Sequence, residues 1–282
     1  MDPQNQTALL TGCTSGIGLH LAHQFAKHGH PLVLVAPVES ELQQLRTELT
    51  ATYGVTAEVL AKDLEQQSSA QEIHDALDAR GIQVDILVNN AGHGHHGKWW
   101  QQSIDTDLSM LRLNIEAVLR LSKLFVPKMV ARGGGILFNT ASVAGFEAGP
   151  TMAVYHATKA FVLSWSEAIS VELEDTGVQV TALCPGPTDT DFFPKAGMED
   201  TTVFQKGSVM APQDVAEAGY KGMAERDLII IPGAMNKALV QGRRVLTEKA
   251  QAKLNAKMYE DVPASEHQRS RGDIEQEAAE KR

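Results

Sequence analysis

The sequence predicts an α/β fold in which one parallel sheet is covered by helices on both faces. Seven short apolar runs rich in branched residues alternate with longer stretches of helical period. A glycine-rich turn follows the first run, and 43% of the 282 residues are hydrophobic, enough for a substantial core. The runs are Thr7 to Leu10, Pro31 to Val35, Thr56 to Leu60, Ile86 to Val88, Gly135 to Phe138, Gln179 to Leu183 and Leu228 to Ile231. Strands alternating with helices imply right-handed βαβ units, hence a doubly wound, seven-stranded parallel sheet. No internal repeat or linker interrupts residues 1–246, which read as one domain. In 247–282 the composition shifts to Ala, Glu, Lys, Gln and Arg, broken by Pro263. Its first part reads as helix; the end, from about His267, has few apolar residues to bury and reads as disordered. The whole range is expected to be an appendage.

Charge and cysteine content narrow the function classes. A formal net charge of −10 argues against general binding to nucleic acid or anionic membrane, although backbone amides can still hold an anionic cofactor. Cys13 and Cys184 stand far apart in a cysteine-poor chain, so neither a disulfide framework nor a Cys-based metal site is expected. Met1 to Gln6 contain no basic region followed by an apolar run, and no later run approaches the ~20 residues needed to span a bilayer. The expectation is a cytoplasmic protein in a reducing compartment.

The first run leads directly into Thr11-Gly12-Cys13-Thr14-Ser15-Gly16-Ile17-Gly18, followed by the helical pattern Leu19, Leu21, Ala22, Phe25. Glycines at a strand-to-helix turn admit positive φ and let the backbone approach a pyrophosphate, whose charge the free amides of the helix N-terminus stabilise. The spacing is Gly-x-x-x-Gly-x-Gly, not the Gly-x-Gly-x-x-Gly of the standard dinucleotide fingerprint. Farther on, Tyr155 and Lys159 are four residues apart and share one face of a helix. A phenol titrates near ~10, and a nearby cation lowers that value towards working pH, which makes Tyr155 a candidate acid/base. Ser142 could orient a carbonyl or hydroxyl for the same proton.

The Thr11 to Gly18 spacing, Asn89-Asn90-Ala91-Gly92 after the fourth run, Asn114, Ser142, Tyr155 with Lys159, and Pro185-Gly186 after the sixth run together resemble the short-chain dehydrogenase/reductase family. The resemblance covers residues 7 to about 235 and implies a Rossmann-like fold. It implies Tyr155 as acid/base, Lys159 as the residue that binds the nicotinamide ribose and lowers the Tyr155 pKa, Ser142 as the substrate-orienting hydroxyl, and Asn114 as a residue that bends its helix and holds a water. For cofactor binding it implies Gly12, Thr14, Ser15, Gly16, Ile17 and Gly18 around the pyrophosphate. Asn90, Ala91 and Gly92 pass close to the adenine ribose, Asp63 and Leu64 lie at the adenine, and Pro185, Gly186 and Thr188 close over the nicotinamide. A helix N-cap is the competing reading of Asp63. No metal is expected.

The implied reaction is hydride transfer between a nicotinamide cofactor and a small-molecule carbonyl or alcohol. A 3-oxoacyl thioester reductase and a non-catalytic cofactor-binding regulator are the rivals. At the end of the second run, Ala36 stands where the family's NAD-selecting Asp would align and Pro37 where its NADP-selecting Arg would, so both determinants are missing. The flanking Leu32 to Ala36 and Glu41-Leu42 look most like NADP-dependent members, which favours NADP(H) over NAD(H). His93, His95 and His96 read as solvated loop residues. Phe192, Phe193, Met198 and Phe204 lie in a segment resembling the family's substrate lid, which suggests an apolar substrate. Trp99 and Trp100 read as cover for a core or a subunit contact. Helices carrying Leu121, Leu124, Phe161 and Trp165 resemble those that pair in family homodimers and homotetramers.

Overall fold

The computed structural model describes residues 6–242 and 246–281; Met1–Asn5, read above for a leader, and Arg282 at the end of the tail lie outside the described residues. The chain runs β1 (Ala8–Thr11), α1 (Gly16–Lys27), β2 (Leu32–Ala36), α2 (Glu39–Tyr53), β3 (Ala57–Ala61), α3 (Ser69–Ala79), β4 (Ile86–Asn89), α4 (Ile104–Leu111), α5 (Ala117–Ala131), β5 (Gly135–Thr140), α6 (Ala153–Glu172), β6 (Val178–Leu183), α7 (Phe192–Ala196), α8 (Thr202–Gln205), α9 (Pro212–Ala224), β7 (Ile229–Ile230), α10 (Ala234–Gly242), α11 (Glu248–Met258) and α12 (Asp273–Glu280). The seven strands form one parallel sheet in the order β3-β2-β1-β4-β5-β6-β7. Strand order reverses between β1 and β4, and the crevice outside the carboxyl ends there is where doubly wound sheets bind ligands.

Alternation along each strand divides the core between the faces. In β1, Ala8 and Leu10 join Leu32 and Leu34 of β2 against α1, α2 and α9, through residues such as Phe25, Leu42 and Val215. Leu9, Val33 and Leu87 point the other way, against Ile73 of α3 and Leu121 and Phe125 of α5. Among the described residues, no helix is long and apolar enough to cross a membrane.

The last residues depart from expectation. The segment from His267, read as disordered, contains α12, and polar contacts hold it in place. Asp189 is 1% exposed, and its carboxylate accepts from the amides of Gly272 at 3.0 Å, Ile274 at 3.0 Å and Glu275 at 3.1 Å. Arg271 reaches Asp191 at 3.1 Å and Glu275 at 2.6 Å, and Glu275 meets His20 of α1 at 2.9 Å. The Gln205 side chain donates to Arg269 O at 3.1 Å and accepts from Gln268 N at 2.8 Å. The scarcity of apolar residues does not prevent order here, because a buried carboxylate serves the unbonded amides at the start of α12.

Candidate active site

The glycine loop between β1 and α1 has no room for side chains. A Cβ on Gly12 would lie 2.8 Å from Ala91 Cα, and one on Gly18 would lie 2.0 Å from Gly12 O. Gly12 and Gly16 also have positive φ, 63° and 53°, where only glycine is unstrained. The loop is braced from the next crossover. Asn90 Nδ2 donates to Thr11 O and Gly12 O at 3.1 Å each, and the Asn90 and Ala91 amides donate to Thr11 Oγ1 at 2.9 and 3.1 Å. Thr140 completes the brace by donating to Asn90 Oδ1 at 3.2 Å. Thr14 and Ser15 in the turn are half-buried, and the half-buried Ile17 packs against the core. The cap residue Ser15 makes no side-chain bond to the first-turn amides of α1, which have no carbonyl partner within the helix. A tight backbone cradle ending in free amides fits the pyrophosphate of a dinucleotide. Of the braces, Thr11 and Thr140 were not singled out in the sequence, because a Thr at a strand end reads as an ordinary strand residue.

Beyond the end of β3, Asp63 accepts from Glu65 N at 2.9 Å in a turn that precedes α3, so it is no helix N-cap; Leu64 is buried against the core. At the end of β2, Ala36 packs into the core while Pro37 is exposed. A charge is accommodated at Pro37 and not at Ala36.

The catalytic candidates converge beyond β5. Ser142 caps a short 3-10 turn, Val143–Phe146, by accepting from Ala144 N at 3.1 Å, and it donates to Pro185 O at 3.3 Å. Lys159 is 5% exposed, and its ammonium donates to Thr140 O at 2.8 Å, 5.8 Å from the Tyr155 ring centroid. Burial pushes the Tyr155 phenol up to about 12, against a smaller lowering by Ser142, and pushes the Lys159 ammonium down to about 8. Gly92 passes beside the same group: a Cβ there would lie 3.1 Å from Asn114 Oδ1 and 3.5 Å from Lys159 Nζ.

Asn114 lies in a π-helical turn, Arg112–Glu116, between α4 and α5, so the break in the helix is present at the residue expected to bend it. Its amide accepts from His93 N at 3.0 Å and donates to His93 O at 2.9 Å and to Thr158 Oγ1 at 3.1 Å. His93 is accordingly not a solvated loop residue. Its ring bonds Ser109 Oγ at 2.9 Å, Ser109 donates to Glu65 at 2.8 Å, and burial lowers the imidazole pKa. The backbone of His96 donates to Ala196 O at 2.9 Å, and its Nε2 is buried without a partner among the described residues. No cluster of metal-ligating side chains occurs among the described residues.

Beyond β6, Pro185 O receives Ser142, Gly186 is pressed against Asn236, and Thr188 donates to Gly186 O at 2.9 Å. The lid follows. Phe193, Met198 and Phe204 are buried in a small cluster with Met152, while the half-buried Phe192 stands 5.1 Å from the Tyr155 ring. Gly94 makes room for it, since a Cβ there would be 2.6 Å from the Phe192 ring. Trp99 and Trp100 are 60% and 73% exposed, which overturns the core half of their reading and leaves the subunit contact. Leu121, read as a pairing residue, is buried in the core and is not available to a partner.

The short chain dehydrogenase family model matches residues 6–200. The ketoacyl reductase HetN of Nostoc sp. is 31% identical over 230 residues, covering 80% of this chain and 78% of HetN. Among solved structures, a short-chain dehydrogenase from Sphingobium yanoikuyae in complex with NADPH has a TM-score of 0.77 and 33% identity, over 94% of this chain and 98% of that one. The bulky-bulky ketone specific alcohol dehydrogenase from Comamonas testosteroni has a TM-score of 0.72 and 33% identity, over 86% and 93%. With the glycine cradle, the parallel sheet and these matches in agreement, the chain belongs to the short chain dehydrogenase family of oxidoreductases.

Proposed function

We propose that this protein interconverts a carbonyl and an alcohol with a nicotinamide cofactor, NADP(H) in preference to NAD(H), and that Tyr155 is its acid/base. The observation that carries the reading is the convergence of the Ser142 hydroxyl, the Tyr155 phenol and the Lys159 ammonium beside Gly92, at the carboxyl ends of the central strands. A bound nicotinamide supplies the hydride. The chain's own residues manage the oxygen. Ser142 donates a hydrogen bond to the substrate oxygen and fixes its position; Tyr155 delivers its proton as negative charge develops there. A phenol near 12 holds that proton until the oxygen demands it, and Lys159, held by Thr140, stabilises the phenolate left behind. Oxidation of an alcohol runs the same proton in reverse. Gly12, Thr14, Ser15, Gly16, Ile17 and Gly18 hold the pyrophosphate in this reading. Asn90, Ala91, Gly92, Asp63 and Leu64 serve the adenosine half, and Pro185, Gly186 and Thr188 the nicotinamide half.

Support for NADP(H) comes from the missing carboxylate at Ala36 and from the NADPH complex of the Sphingobium protein. A 3-oxoacyl thioester is the second substrate reading, supported by the ketoacyl reductase HetN. The test is a panel of ketones, aldehydes, alcohols and an acetoacetyl thioester with both cofactors, followed by absorbance of the reduced nicotinamide. Turnover of none of them despite tight cofactor binding would leave a non-catalytic role. The reading includes a homodimer or homotetramer, supported by exposed Ile104, Leu108 and Leu111 on α4 and Phe161 on α6, and checked by light scattering. It also includes a cytoplasmic location, supported by two free, buried thiols.

A further inference from the structure

The chain beyond the family match returns to the catalytic residues. Asn255 Nδ2 donates to Ala148 O at 2.9 Å, in the loop that follows Ser142. Glu260 O accepts from Thr202 N at 2.9 Å, and Val262 N donates to Asp200 O at 2.7 Å, so the same segment is bonded to the lid. Between these anchors stands Tyr259. Its hydroxyl lies 2.8 Å from Nε2 of His156, the residue after Tyr155, and His156 Nδ1 lies 2.8 Å from Glu147 O. A carbonyl can only accept, so the proton is on Nδ1 and Nε2 accepts from the Tyr259 hydroxyl. Burial keeps His156 neutral and raises the Tyr259 phenol, with Tyr155 adding to the rise, so this polarity persists through neutral pH. The imidazole itself cannot move towards the loop: a Cβ on Gly149 would lie 2.1 Å from its Nε2.

The ring of Tyr259 is fixed by these contacts, and the residue is half-buried. It meets His156 edge-on at 5.7 Å, lies 6.5 Å from His96, and packs in the apolar cluster that also receives Tyr155 and Phe192. Phe192 stands 5.1 Å from the Tyr155 ring and is held by packing alone. The two walls therefore differ in kind: one aromatic ring is held by packing, the other is also tethered by a hydrogen bond.

We propose that Tyr259 is a specificity-determining residue that sets the size limit on one side of the carbonyl, so that the preferred substrates are ketones with one bulky and one small substituent. The bulky arm takes the place of Phe192, and the small arm faces Tyr259. This rests on the reading of Tyr155 as the acid/base. A wall acts on the ratio of two substrates, whereas a purely structural residue lowers both alike.

The test compares phenyl methyl ketone with phenyl propyl ketone, each with NADPH, in the wild type, Tyr259→Ala and Tyr259→Trp. Tyr259→Ala is expected to raise the propyl-to-methyl ratio of kcat/KM by at least ~10-fold, the lower end of what a methylene-sized change in an apolar pocket gives. Tyr259→Trp is expected to lower that ratio, and it carries the test with the opposite sign where the alanine variant does not fold. NADPH affinity, read by nicotinamide fluorescence, is expected to stay within about 2-fold, because the cradle between β1 and α1 is untouched. Equal losses for both ketones, or an unchanged ratio in both variants, would overturn the wall. A wild type that reduces neither ketone nor any other carbonyl would instead remove the reading of Tyr155, and the wall with it.

Discussion

At the nucleotide end, Thr11, Gly12, Asn90 and Ala91 meet in four hydrogen bonds of 2.9 to 3.1 Å, each joining a main-chain group to the side chain of Thr11 or Asn90. At the substrate end, Tyr155, Phe192 and Tyr259 come from three segments spread over more than a hundred residues and meet through side chains. The first end tolerates almost no change, because a Cβ on Gly18 has nowhere to go. The second is assembled from rings that can be exchanged for others of different size. A backbone cradle suits a ligand that never changes, and a side-chain wall suits one that differs from protein to protein.

The largest expected effect separates chemistry from binding. Tyr155→Phe removes the proton donor and leaves the cradle intact, so kcat is expected to fall by ~10² to 10⁴ while NADPH affinity holds, by steady-state kinetics and fluorescence titration. Loss of cofactor affinity to the same degree would mean that the two ends are not separable.

Lys159 sharpens the contrast because it is a functional group that costs stability. Its ammonium is held at about 8 against an ordinary value of 10.5, so the unfolded chain takes up the proton first as pH falls. Stability from this group therefore rises with pH between about 8 and 10.5, and the whole penalty is present below about 8. Lys159→Met is expected to stabilise the cofactor-free protein at pH 7 by up to about 3 kcal/mol, with the difference closing above pH 10.5, while turnover collapses. Urea unfolding at pH 7 and pH 10 checks it; a variant less stable at pH 7 would show that the bond to Thr140 outweighs burial.

Asp189 tests how firmly the substrate end is tied down. Asp189→Ala leaves the amides of Gly272, Ile274 and Glu275 and the Arg271 guanidinium without their buried partner, an expected loss of about 2 kcal/mol by thermal denaturation. A change in KM for ketones larger than that for NADPH would place the effect at the lid.

The smallest effect lies at Pro37. Arginine there adds a charge-assisted contact to a 2′-phosphate from an exposed position, and Pro37→Arg is expected to widen the preference for NADPH by about tenfold, ~1.4 kcal/mol, in kcat/KM. A wild-type preference for NADH of that size would point to Glu39, which opens α2.

The same division explains what could be read from the sequence. All seven strands fall within two residues of their apolar runs, and Gly12 to Gly18 announce their turn, because strand burial and positive φ are local demands on residue type. Ser142, Tyr155 and Lys159 follow from one helix face and one loop. His93 was misread because its partners, Ser109 and Asn114, lie 16 and 21 residues away. The first part of 247–282 was read as helix and is α11, whereas the end from His267 was misread because its anchors are a buried carboxylate and a histidine, and neither leaves a periodic pattern. A lone tyrosine in a charged stretch, Tyr259, was the one available signal of an apolar contact there.

The bond between His20 and Glu275 joins residues 255 apart, nearly the whole length of the chain. During synthesis the sheet and the cradle have all their residues long before α12 exists, and Asp189 has no partner there until Gly272 to Glu275 follow. The closed site is thus a late event in the folding of each molecule, formed by long-range contacts that come after the core. Until that moment the chain is a folded nucleotide-binding core with an unlatched lid.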